Sequence, residues 1–144
     1  MYDRYNRKIN YLRVSVTDKC NLRCYYCMPE EGVKLLRHED ILSYEEITET
    51  VRYGVRQGID KVRITGGEPL VKREIIKLVS MLSRIPGVRD LSMTTNGTLL
   101  SAYAGDLAKA GLQRVNVSLD TLDPDKFSKI TRGGNLMQGL EGLE

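Results

Sequence analysis

The chain has 144 residues, 41% hydrophobic and 28% charged, enough for one soluble globular domain with a sizeable core. Its net charge of +3 is carried by scattered Lys and Arg residues, which argues against a nucleic-acid partner, since that needs a basic block or stripe. No apolar run approaches the roughly 20 residues of a membrane span, and the polar, basic start from Met1 to Asn10 lacks the apolar stretch of a signal peptide. A cytoplasmic protein with no membrane partner is therefore expected.

The first predicted element is a strand, Tyr11–Thr17, followed by a loop holding all three cysteines. Ser43-Tyr-Glu-Glu46 has the form of a capping box, and Ile47, Val51 and Val55 continue at helical spacing until Gly58. A second strand, Lys61–Thr65, runs into the turn Gly66-Gly67-Glu68-Pro69. A helix with Ile75, Ile76, Val79 and Leu82 on one face then ends at Pro86-Gly87. The third strand, Asp90–Thr94, leads through Asn96-Gly97 to a helix around Tyr103–Ala110, stopped by Gly111. The fourth strand is Arg114–Leu119. Asp123-Pro124 opens a short helix through Phe127 and Ile130, and Leu136, Leu140 and Leu143 mark a last helical pattern running to Glu144.

This alternation predicts an α/β fold of about four parallel strands with crossover helices. Buried parallel strands usually read as continuous apolar runs, whereas these alternate. Leu12, Val14, Val16, Val62, Ile64, Leu91, Met93, Val115, Val117 and Leu119 share one parity. Arg13, Ser15, Lys61, Arg63, Ser92, Thr94, Arg114, Asn116, Ser118 and Asp120 share the other. A partial (β/α) barrel, with helices on its apolar face and a ligand on its polar inner face, satisfies that pattern. The alternative is a polar face that is simply wet. Met28, Met81, Met93 and Met137 read as packing residues.

Cys20-Asn-Leu-Arg-Cys24-Tyr-Tyr-Cys27 has the spacing C-x3-C-x2-C and follows the first strand, at the end where α/β barrels place their chemistry. A clustered, odd set of thiols points to metal or redox chemistry rather than a disulfide scaffold. A cubane iron–sulfur cluster normally takes four thiolates, so three would leave one iron open to a ligand such as the amino and carboxylate groups of S-adenosylmethionine (SAM). Three other readings stand beside this one. The cysteines share a helical spacing and suit a buried core, a zinc site could take His38 as fourth ligand, and a ferredoxin would need a fourth cysteine.

CNLRCYYC resembles the radical SAM signature, with Tyr26 as its aromatic residue, and Gly66-Gly67-Glu68-Pro69 resembles the GGEP turn of the same superfamily. The glycines allow close backbone approach to a ligand, and the turn with Glu68 suits the ammonium of a methionine moiety. CMPEEG, ILSYEEI, RITGGEPLV, TTNGTLL, RVNVSLDTLDPDKF and ITRGG narrow the likeness to the GTP 3',8-cyclase family of molybdenum-cofactor biosynthesis, from about Tyr11 to the end.

The resemblance implies that Cys20, Cys24 and Cys27 hold one [4Fe-4S] cluster. It places Tyr26, Gly67 and Ser118 against SAM, and Arg13, Arg63 and Thr94 against GTP. Lys61, on the same strand parity as Arg63, joins that basic group by inference from the pattern. The implied reaction uses a 5'-deoxyadenosyl radical to convert GTP to (8S)-3',8-cyclo-7,8-dihydroguanosine 5'-triphosphate. The implied partner is a low-potential electron donor such as flavodoxin or ferredoxin. The family pattern continues with a second cysteine trio and further strands, so residues 1–144 are expected to be an incomplete radical SAM core. The fourth strand would then keep an open edge, favouring self-association into a homo-oligomer. A SAM- or cluster-binding module without cyclase activity, or another radical SAM enzyme such as a peptide-modifying one, remain as alternatives.

Overall fold

The computed structural model describes residues 2–143, apart from the side chain of His38. The strands β1 (Tyr11–Ser15), β2 (Lys61–Thr65), β3 (Asp90–Thr95) and β4 (Arg114–Val117) form one parallel sheet in chain order. The helices are α1 (Tyr44–Arg56), α2 (Ile75–Ser83), α3 (Leu100–Lys109), α4 (Pro124–Thr131) and α5 (Leu136–Glu141). A doubly wound sheet reverses its order of strand addition and carries helices on both faces. Here every crossover steps the same way, and right-handed connections then gather the crossover helices on one face. The result is a segment of barrel wall.

Side-chain alternation assigns the two faces. Val62, Ile64, Leu91 and Met93 are buried with Ile47 and Val51 of α1, Leu78, Val79 and Leu82 of α2, and Leu100 and Leu107 of α3. On the other face, Arg13 pairs in register with Arg63, Arg63 with Ser92, and Ser92 with Arg114. Two of these arginines find local partners. Arg63 lies over the Tyr11 ring at 5.4 Å, and the Arg114 guanidinium reaches Asp90 at 2.6 Å.

The helix starts follow their caps. Ser43 Oγ accepts from Glu46 N at 3.2 Å while the Glu46 carboxylate accepts from Ser43 N at 2.8 Å, completing the capping box. Asp123 Oδ1 accepts from Asp125 N and Lys126 N at 3.0 and 3.1 Å, so α4 starts at Pro124.

Some expected boundaries move. β1 ends at Ser15 rather than Thr17 because the chain bends there to receive the Gly66-Gly67 turn, although Val16 N still reaches Thr65 O at 2.9 Å. β4 ends at Val117 rather than Leu119, with Ser118 N still bonded to Thr95 O at 2.8 Å. α3 starts at Leu100, three residues before the expected Tyr103, because the Asn96–Thr98 turn places Leu100 N on Gly97 O at 3.0 Å. Met93 is a packing residue as expected, whereas Met137 is 55% exposed on the outer face of α5. β1 and β4 form the two sheet edges among the described residues, and no described helix is long and apolar enough to cross a membrane.

Leu78 is fully buried among the sheet and the helices. Leu78→Ala is expected to lower unfolding stability by about 2–5 kcal/mol through lost burial and a residual cavity, read as a shift of the urea midpoint.

Candidate functional site

The loop after β1 is held from two sides. On one, the last turn of α4 lends its free carbonyls: Arg23 N bonds Thr131 O at 3.1 Å and Tyr25 N bonds Ile130 O at 3.0 Å. Arg132, in the left-handed conformation that ends α4, donates Nη1 to the carbonyls of Arg23 and Met28 at 3.0 and 2.9 Å. Beneath, Leu22 packs with Phe127 and Leu136 in a second small core that Cys20 and Cys24 flank. On the other side lies the Gly66-Gly67 turn. Gly67 N donates to Thr17 O at 2.7 Å and Glu68 N to Lys19 O at 2.8 Å. A Cβ on Gly66 would sit 2.6 Å from Thr17 O, and one on Gly67 would collide with Lys19 O. The sequence motif assigns the glycines to close approach of a ligand; the chain's own backbone leading into the cysteines approaches them as well, and both also line the site cavity.

Glu68 is 1% exposed. Its Oε1 accepts from Leu70 N at 3.0 Å and Thr95 Oγ1 at 2.8 Å, and its Oε2 from Asn96 N at 2.7 Å. The carboxylate thus ties the β2 turn to the end of β3 while also lining the site.

These loops enclose a cavity of about 200 Å³ at the C-terminal edge of the sheet. Cys20, Cys24, Cys27, Tyr26, Gly66, Gly67, Glu68, Arg13, Thr94 and Ser118 all line it. Two expected site residues do not. Arg63 lies deeper on the polar face, with Nε 3.4 Å from Ser92 Oγ, and Lys61 is exposed at the opposite end of β2. At about 3.3 Å rise per residue, Lys61 is some 13 Å from the rim that Thr65 reaches. Asn96 and Asp120 also line the cavity. The sequence marks Asn96 only as part of an Asn-Gly turn. Asp120 did carry a signal, since it continues the polar parity of β4 two residues past Ser118.

Burial and nearby negative charge disfavour ionisation of two of the thiols, Cys24 and Cys27. Burial foremost, then the neighbouring Cys27, pushes the Cys24 thiol up; burial, Cys20 and Asp120 push Cys27 up. Tyr26 donates its hydroxyl to Asp120 Oδ2 at 2.7 Å across the cavity mouth, and that bond, ahead of burial, raises the phenol far above its ordinary value. A bound cationic centre reverses this logic for the thiols.

All three cysteines are free. Among the described residues, no trio of His, Cys, Asp or Glu side chains converges on one point as a mononuclear ion requires. The His38 side chain, fourth ligand of the zinc alternative, lies outside the described residues. Three thiols spaced around a shared cavity fit a cubane, in which each cysteine meets its own iron.

The chain matches the family model of the radical SAM superfamily over residues 14–144. It is 57% identical over 143 residues to the GTP 3',8-cyclase of Alkaliphilus oremlandii, covering 99% of this chain and 45% of that protein. It is likewise 57% identical over 145 residues to the GTP 3',8-cyclase of Thermodesulfovibrio yellowstonii, again 45% of that protein's length. The chain therefore spans under half the length of these curated relatives. Among solved structures, Streptococcus suis SuiB bound to S-adenosylmethionine superposes with a TM-score of 0.70 at 22% identity, over 90% of this chain and 28% of that one. The anSMEcpe protein with bound AdoMet gives 0.63 at 20% identity, over 92% and 38% of the two chains. At such identities the likeness is one of fold, and it places the four strands in a radical SAM partial barrel.

Asp120→Asn removes a negative charge beside Cys24 and Cys27, so their thiols should ionise at lower pH. In the cluster-free protein, alkylation of Cys27 by iodoacetamide is expected to be faster than in the wild type near pH 8. An unchanged or slower rate would contradict the charge assignment.

Proposed function

Because the chain belongs to the radical SAM superfamily, we propose that residues 1–144 form the cluster- and SAM-binding core of a GTP 3',8-cyclase of molybdenum-cofactor biosynthesis. The observation that carries this reading is that the cysteine trio, the Gly66-Gly67 turn and the polar residues Arg13, Thr94 and Ser118 line one cavity. Identity of 52–57% to proteins named GTP 3',8-cyclase along nearly all of the chain supports the substrate. When bound, a [4Fe-4S] cluster with SAM on its open iron supplies a radical able to take a hydrogen atom from the substrate.

The chain's own residues hold and shield. Cys20, Cys24 and Cys27 are the proposed cluster ligands. Tyr26, Gly66, Gly67, Glu68 and Ser118 are the proposed contacts to SAM, with the buried Glu68 also fixing the turn's shape. Arg13, aimed from β1 toward the same cavity, suits phosphate oxygens because its planar fork donates paired hydrogen bonds. Thr94, on β3, lines the same cavity and supplies a hydroxyl there. Arg63 and Lys61 fit a longer anionic group running down the polar face rather than the cavity rim. Leu22 and Phe127 present an apolar wall against Cys20 and Cys24. A low-potential donor such as flavodoxin or ferredoxin, and self-association along the open strand edge, complete the proposal.

Anaerobic reconstitution tests the cluster. About four irons per trio, with visible absorption lost in Cys24→Ser, is expected; stoichiometric zinc with no iron would overturn it. Cleavage of SAM on reduction, together with cyclised GTP, separates the cyclase from a SAM-cleaving module that lacks the second step. Arg13→Ala should weaken GTP binding tenfold or more in equilibrium titration. A hydrogen bond to a charged group contributes about 1.5–3 kcal/mol, and about 1.4 kcal/mol is a factor of ten.

A further inference from the structure

A closed ring of side-chain hydrogen bonds joins the loop after β3 to the cysteine loop. Asn96 Nδ2 donates to Asn21 Oδ1 at 2.9 Å, Asn21 Nδ2 donates to Thr98 Oγ1 at 2.8 Å, and Thr98 Oγ1 donates to Asn96 Oδ1 at 2.7 Å. The direction of the ring is settled by a main-chain group. Thr98 N can only donate, and it donates to Asn96 Oδ1 at 3.0 Å, so that atom is the oxygen and the amide is not flipped. The Nδ2 end therefore faces the cysteine loop, and beyond Asn21 it reaches Cys20 Sγ at 3.9 Å. Leu22 N approaches the same sulfur at 3.4 Å. The anchor of the whole arrangement is Glu68, buried and bonded to the main-chain N of Asn96.

We propose that Asn96 is a positioning residue of the cluster, its amide donating to the Cys20 sulfur, fixing that ligand's direction and making the cluster easier to reduce. This rests on the reading of Cys20 as a cluster ligand. Donors to a ligating sulfur stabilise the extra negative charge of the reduced state, and groups behind the ligands are a main control on iron–sulfur potentials. The site is suited to that role because Asn96 is held by three fixed partners and spends its remaining hydrogen on sulfur. A surface asparagine free to turn would give no such bias.

The test uses the reconstituted holoprotein and reads the reduction potential of the SAM-responsive cluster by redox titration with electron paramagnetic resonance. Asn96→Asp keeps the oxygen that accepts from Thr98 and replaces the donor with a carboxylate. It should lower the reduction equilibrium at least tenfold, about 59 mV for a one-electron couple, at wild-type iron content. Asn96→Ser, whose hydroxyl can still serve the Thr98 turn but is too short to reach Cys20, should shift the potential in the same direction by less. Thr98→Val opens the ring but leaves the amide and its main-chain anchor, and should keep the wild-type potential. Wild-type potentials in both Asn96 variants would overturn the proposal while leaving the cluster assignment intact. A wild-type holoprotein that takes up no iron would instead remove that assignment and this proposal with it.

Discussion

The backbone of Gly66 and Gly67 lies directly against that of Thr17, Asp18 and Lys19, and the placement of everything at the cavity follows from that crossing. At this crossing a methyl group on either glycine would run into a carbonyl oxygen of the facing backbone, so the close approach requires glycine at both positions. Glu68 secures the crossing from behind by taking bonds from the end of β3. The carboxylate of Glu68 thereby fixes the β2 turn against the end of β3, while its main-chain N holds Lys19 O beyond β1. A buried charge without partners is costly, and this one is stabilised by three donors, which tie together the loops it joins.

The sheet supplies the second constraint. With strands added in one direction only, the helices cover a single face, and the apolar half of each strand is spent on that core. The polar half is left to line whatever is bound. Arg114 is neutralised by Asp90, but Arg13 and Arg63 face each other in one register row with no carboxylate against either among the described residues, so an anionic ligand would relieve their repulsion. The same row gathers Arg13, Arg63 and Arg114, which are scattered in the sequence, onto one face of the sheet.

The cysteine loop has no regular structure of its own and takes its shape from what grips it. The carbonyls at the end of α4, Arg132, the Leu22–Phe127–Leu136 contact and the Asn96 ring each contribute one hold. Burial and neighbouring negative charge hold the Cys24 and Cys27 thiols above their ordinary range, and a positively charged centre in the cavity they share with Cys20 would reverse that shift. Their mutual repulsion and their metal affinity have the same physical origin.

Much of this was legible in the chain alone. Strand parity, the Ser43–Glu46 and Asp123–Pro124 caps, and the C-x3-C-x2-C spacing are local patterns, set by backbone geometry over a few residues, and they determined the elements, the polar and apolar faces, and the loop that bears the thiols. Tertiary structure alone decided which distant residues meet. It brought Asn96 to Cys20 and Asp120 to Tyr26, left Lys61 at the far end of its strand, and turned the glycine pair into a seat for another stretch of backbone. Those outcomes depend on strand order and on contacts between residues some 50 to 94 positions apart in the chain, as with Gly67 on Thr17 and Tyr26 on Asp120. No short-range pattern encodes them, because side chains so far apart in sequence are related only through the packed core between them.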